Sequence, residues 1–184
     1  KLFNPDISIM EGNRIEGKAT IILTNSVNGV KPVDFDFGVW RQVCSNGLMR
    51  KSGGFDVKIK HDCNAHSRMR EVLLKINGYA CQNIKKFESY KEKMLSSDQM
   101  KELAENAIGL RWRDGSVPAS QLLDIKRPED RGNDLWSVFN RIQENLTKPG
   151  MLVNKNGHLI DGVRSVREDI FVNQELSALV ETLI

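Results

Sequence analysis

Cysteine is scarce and odd in number: Cys44, Cys63 and Cys81 are the whole set. A disulfide-stapled secreted domain normally carries an even and denser set, so these read as reduced thiols of a cytoplasmic protein. Long apolar runs are missing too. No stretch approaches the roughly 20 residues that span a bilayer, and the start Lys1-Leu2-Phe3-Asn4-Pro5 lacks a signal peptide's apolar core. Strong charge of one sign is absent: 27 Lys/Arg against 24 Asp/Glu leaves a net +3, which permits nucleic-acid binding without requiring it. There is no G-x-x-x-x-G-K-[ST] loop, no G-x-G-x-x-G, no HExxH and no G-x-S-x-G. These absences exclude the best-known local signatures of catalysis and leave enzymes without one untouched. No internal repeat, low-complexity tract or long Gly/Ser/Pro linker occurs.

What is present is a change of period along the chain. Ile7 and Ile9 alternate with polar residues before a Glu11-Gly12-Asn13 turn. Ala19, Ile21 and Leu23 then share one face of a β-branched run, and Asn28-Gly29 supplies a second turn. Val33, Phe35, Phe37 and Val39 alternate again; Asn46-Gly47 marks a turn, and Phe55, Val57 and Ile59 a further strand. After His61 the spacing becomes helical. Met69, Val72, Leu73, Ile76, Ala80, Ile84, Phe87 and Met94 trace one stripe of a long helix, in which Gly78 allows a bend or a break. Ser96 and Gln99 stand at capping-box spacing ahead of Met100, Leu103, Ala104 and Ala107, and Gly109 is a natural stop. Pro118 is placed to open a helix carrying Leu122, Leu123 and Ile125. Asn133 to Thr147 is amphipathic with Leu135, Trp136, Phe139, Ile142 and Leu146 inward. A short hairpin is expected at Asn156-Gly157, and Asn173 is expected to cap a last helix.

Strands followed by helices predict an α+β fold: antiparallel N-terminal hairpins packed with a long helix, then a helical C-terminal half. Residues 1–110 form the strand-rich portion ending in the long helix, and 111–184 the helical portion of the same domain. The charged stretch Arg111 to Arg131 is the expected hinge. Residue 1 is not Met and the chain stops on an apolar helical pattern, so it reads as a piece of a longer protein.

Four segments could carry chemistry. His61-Asp62-Cys63-Asn64-Ala65-His66 is the densest cluster; with Cys44 it offers His61, Cys63 and His66 as zinc ligands, or Cys44 and His61 as nucleophile and base. No Cys-x-x-Cys spacing supports this, and a plain strand-to-helix junction looks the same, so no cofactor or metal is expected. Ser45-Asn46-Gly47 can bend sharply and bare its amides to an anion, or simply turn the chain. The helix from Asn133 carries a polar row, Asn133, Asn140 and Glu144 on one side with Arg141 and Asn145 as an i,i+4 pair, expected as a solvated face or a partner surface. Basic residues interleave with aromatics, as in single-strand binders, while most of those rings also lie on helical core stripes and read first as core: Arg41, Lys58, Lys60, Arg111, Trp112 and Arg113 are the candidate nucleic-acid contacts, Trp112 being the best exposed ring.

Gly38-Val39-Trp40-Arg41-Gln42-Val43-Cys44-Ser45-Asn46-Gly47-Leu48 resembles the signature G-x-[FW]-R-x-V-C-x-N-G-L of the phage/plasmid-like family of YafZ and YfjQ, number 932 among the domains of unknown function. The stretch Asn133 to Leu146 resembles that family's N-D-L-W…R-I-Q-E-N-L helix. Asn25-Ser26 through Asn28-Gly29, the strand ending in His61, Val163-Arg164 and Ala178 to Leu183 are also similar. The loop Pro149 to Gly162 departs from the basic loop of YfjQ-like members, and an N-terminal portion usual for the family is expected to be missing. The resemblance implies residence on mobile elements, beside anti-restriction and repair genes, and brings no established activity. It marks Arg41, Cys44, Asn46, Gly47, His61, Asn133, Trp136, Gln143 and Glu144 as signature positions. The order of strands and long helix is also similar to phage single-strand annealing proteins of the Redβ/Erf type, an analogy of fold alone. The expected function is nucleic-acid binding, with single-strand DNA binding or annealing in replication or recombination. The alternatives are a counter-defence protein that binds a host defence protein and a metal-dependent nuclease. Enzyme status stays open and leans toward a binder; no membrane partner is expected, and oligomerisation stays open.

Overall fold

The computed structural model describes residues 2–11, 14–25, 28, 30, 32–41, 47–49, 57–150 and 152–184. The fold is α+β, with strands first and helices after. It divides into two compact units, Lys1–Glu88 and Ser89–Ile184. The segment from Arg111 to Arg131 lies wholly within the second.

The first unit is a five-stranded antiparallel sheet of β1 (Leu2–Glu11), β2 (Arg14–Thr24), β3 (Val33–Arg41), β4 (Gly47–Met49) and β5 (Val57–Ile59), followed by α1, Ala65–Glu92. Strand β3 is central: β2 pairs along one edge, while β4 meets Gly38–Trp40 and β5 meets Val33–Phe35 on the other. The expected period of two sets the register. Ala19 lies opposite Val39, Ile21 opposite Phe37 and Leu23 opposite Phe35, and residues directly opposite share a face of the pleat. Val33, Phe35 and Ile59 on that face are buried, whereas Asp34 is half-buried and Lys58 exposed on the other. Pro5 falls in β1, an edge strand, between the register shift at Phe3 and Ser8, where a missing N–H is tolerated. The turns expected at Gly12-Asn13 and at Ser45-Asn46, and Phe55, lie outside the described residues.

Helix α1 runs through Gly78 without a break. Its stripe is partly as expected: Val72 is buried and Met69 half-buried, but Leu73 is 43% exposed. Met94 is not on the helix. The chain leaves α1 at Glu92, and Met94 forms an isolated antiparallel bridge with Asp134, flanked by Leu135 N–H to Lys93 O (2.7 Å) and Leu95 N–H to Asn133 O (2.9 Å). The break exists because Ser96 must be extended to cap α2, Ser97–Ile108: its hydroxyl accepts from Gln99 N–H and the Gln99 side chain accepts from Ser96 N–H.

In the second unit, α3 (Leu135–Thr147) is contacted by α2, by α4 (Val166–Glu181) and by two short 3-10 segments, Ala119–Leu123 and Pro128–Asp130. Every residue of α3 is buried, polar ones included. The expected solvated row is therefore overturned, because elements from aperiodic sequence cover the polar side as well. Two further expectations change. Pro118 opens a 3-10 turn rather than an α-helix, burying Leu122 while Ile125 is left 50% exposed. Asn173 lies inside α4 rather than at its cap: its Nδ2 donates to Asp169 O one turn back, and the helix begins at Val166. The hairpin at Asn156-Gly157 is present, with Val153 bridged to Leu159, Gly157 at φ +77° and Asn154 Oδ1 accepting from Asn156 and His158 N–H. Among the described residues no helix is long and apolar enough to cross a membrane.

Gly132 shows how tightly α3 is entered. A Cβ there would overlap Asp134 Oδ2 and lie 2.9 Å from Ser137 Oγ, the pair that caps the helix. Gly132→Ala is expected to cost about 1–2 kcal/mol through loss of that cap, read as a lowered urea midpoint with an unchanged slope.

Candidate functional site

The signature helix α3 is held by polar contacts that reach into four other segments. Glu144 accepts two hydrogen bonds from Arg127, Nε to Oε2 at 2.8 Å and Nη2 to Oε1 at 2.7 Å, in the planar fork that suits guanidinium and carboxylate. Asn145 Nδ2 donates to Leu122 O and Asp124 O, fixing the end of the first 3-10 segment. Gln143 Nε2 donates to Asn173 Oδ1 on α4. Arg141 Nη2 donates to Gly132 O at 2.7 Å; burial lowers its pKa, opposed by Asp130 and Asp134. Trp136 is 3% exposed, and Asn133 uses its carbonyl to hold Leu95. These side chains organise the fold, so a partner surface on this amide-rich helix is not available from Asn140 to Asn145.

Arg111, Trp112 and Arg113 follow α2. The Arg111 side chain is only 11% exposed. Its Nη1 donates to Leu146 O and its Nη2 to Asp161 O, each at 2.6 Å, with Glu168 3.7 Å from Nε. Its carbon Cζ lies 4.8 Å from the centroid of the half-buried Trp112 ring. Burial lowers the guanidinium pKa, against the raising influence of Glu168 and Asp161. Arg113 is exposed and reaches back to Gly109 O at 3.4 Å. The triplet thus splits into a fold-bound arginine, a partly covered ring and one exposed cation.

The His/Cys cluster is the β5–α1 junction. Asp62 Oδ1 accepts from Asn64 N–H at 2.9 Å, Asn64 O accepts from Arg68 N–H, and Arg68 pairs with Asp62 at 3.2 Å. His61, Cys63 and His66 are all exposed. Among the described residues, no three His, Cys, Asp or Glu are grouped to hold a metal. Cys44 and Asn46 lie outside the described residues; Gly47 opens β4 opposite Trp40, and Arg41 ends β3 opposite Gly17.

With that arrangement in view, the family model described as Domain of unknown function (DUF932) matches residues 5–178, nearly the whole chain. The chain belongs to the DUF932 family. Two Escherichia coli (strain K12) relatives are similar over 178 residues each: UPF0380 protein YfjQ at 31% identity and UPF0380 protein YafZ at 30%. In both cases the match covers 93% of this chain and spans 65% of the relative's length. No solved structure matches.

In this DUF932 chain, sequence patterning missed Arg127 and Gly132, which stand in no periodic run, and it gave Arg141 and Asn173 other roles, a solvated row and a helix cap. It also missed how charge is partitioned. Residues 1–88 carry 14 Lys/Arg against 9 Asp/Glu, a net +5, while residues 89–184 carry 13 against 15, a net −2. The mild basicity of the whole is an average of two unlike units. On the basic unit Lys58, Lys60, Arg68, Arg70, Lys75 and Lys85 are exposed along β5 and α1.

Proposed function

We infer that this DUF932 chain binds nucleic acid in the bacterial cytoplasm and that its first unit supplies the phosphate contacts. The supporting observation is the charge partition: a net +5 on the first unit, with exposed cations at Lys60 and Arg70. Lys/Arg clustered on one unit gives a polyanion a local target that overall charge conceals. Lys58 and Lys60 on and after β5 and Arg41 at the end of β3 stay in this reading. Arg111 leaves it, since its donors are engaged within the second unit. Single strands are the favoured ligand, in keeping with a role in recombination or replication.

Fluorescence anisotropy with labelled single- and double-stranded oligonucleotides across salt concentrations tests this. Saturable binding whose logarithm falls linearly with the logarithm of salt is expected. Lys60→Gln combined with Arg70→Gln should flatten the single-strand slope by about 1.4, roughly 0.7 for each phosphate contact removed. Absence of binding at low salt would overturn the proposal.

A further inference from the structure

We propose that Leu74 of α1 is a wedge that enters between two bases of a single strand, with Arg70 on the adjoining phosphate; this rests on the nucleic-acid reading above. Leucines scattered singly over a surface are ordinary. Here two stand at successive positions of one helix, Leu73 43% and Leu74 75% exposed. Val72 is buried and Met69 half-buried, so those residues hold this part of α1 and the leucine pair is left over.

Helix spacing decides what surrounds the pair. Residues three and four apart are neighbours on a helix surface, so Arg70 lies one turn before both leucines and between them. Arg70 is exposed and makes no ion pair among the described residues, whereas Arg68 is held by Asp62 at 3.2 Å. The acid nearest Leu74 is Glu71, and Lys75 stands at i,i+4 to it, so their charges offset each other. The Arg70 guanidinium therefore sets the sign of the patch.

Charge chooses the occupant. Residues 57–75 carry five Lys/Arg against two Asp/Glu, a net +3 equal to that of the whole chain. A wholly apolar partner would leave that excess unmatched, and two leucines are too little apolar surface to seat a helix in a membrane. A nucleic acid matches both parts: phosphate for the guanidinium and apolar base faces for the leucine. Opening a base step costs stacking. A duplex must also kink against its own pairing, so the same wedge enters a single strand at lower cost.

The competing explanation is that Leu74 is an idle surface residue, and its exposure makes the test clean. Leu74→Ala should leave the urea midpoint unchanged while weakening the binding of single-stranded oligo(dA) about 5- to 30-fold. Leu74→Met should keep most of the affinity. A 2-aminopurine within the oligo(dA) reports the wedge, since unstacking raises its emission. That rise is expected with wild-type protein, lost in Leu74→Ala and kept in Leu159→Ala, whose leucine is 69% exposed on the second unit. Unchanged affinity in Leu74→Ala, or no rise in emission with wild-type protein, would each overturn the wedge while leaving the charge reading intact. So would a loss confined to phosphatidylserine-vesicle binding or to self-association in sedimentation. Wild-type protein that binds no oligonucleotide would overturn both.

Discussion

Glu144→Ala is expected to destabilise the second unit by about 3 kcal/mol, one of the largest losses available to a single polar substitution here. The carboxylate is 9% exposed and takes both donors of the Arg127 fork, so its removal takes two charge-assisted bonds from that guanidinium beside α3. Breaking a buried pair costs about 3–5 kcal/mol, and the low end applies because Arg127 is 28% exposed and regains some water. Removing both charges together is a different experiment. Arg127→Met with Glu144→Leu should recover most of the loss, since no charge is then stranded. Urea unfolding followed by tryptophan emission reads this through the buried Trp136. A loss below 1 kcal/mol for the single variant would show the pair to be dispensable.

The pair also shows where sequence patterning stops. Alternation in β2 and β3 was legible because apolar residues recur at every second position, with Val33 and Phe35 of β3 buried, and the register follows. The Ser96–Gln99 box was legible because capping is local. Periodicity in α3 reported only its apolar half. Whether Glu144 and Asn145 meet water depends on 119–130, whose short 3-10 segments leave no repeating signal. Met94 extended the α1 stripe numerically, yet the need to present Ser96 as a cap and to bridge Asp134 ends the helix before it. Asn173 has the residue type of a cap, but it lies inside α4, where its Nδ2 donates to Asp169 O and its Oδ1 accepts from Gln143 of α3.

Residue type was an equally partial guide to the site. His61, Cys63 and His66 stand out in sequence because they are rare and close together, while the structure uses Asp62 and Asn64 between them to turn the chain into α1. The charge partition was invisible because it depends on a boundary at Glu88 that falls within one continuous helix.

Arg111→Ala separates the two kinds of basic residue. It is expected to cost about 2–4 kcal/mol and to lower the melting temperature by about 10 °C or more, with oligonucleotide affinity of the folded protein unchanged within about twofold. The cost comes from two charge-assisted bonds to Leu146 O and Asp161 O, with added contact to the Trp112 ring. Leu146 O is a C-terminal carbonyl of α3, one of the last four without a partner along its own helix, so Arg111 satisfies a group that would otherwise be left bare. Glu168, 47% exposed and 3.7 Å away, contributes little. Arg113→Ala is the matched control. Arg113 is exposed with one long bond to Gly109 O, so its loss should stay within about 0.5 kcal/mol. If Arg111→Ala instead left the melting temperature unchanged and weakened oligonucleotide binding, the second unit would be a nucleic-acid surface and the assignment of binding to the first unit would fall.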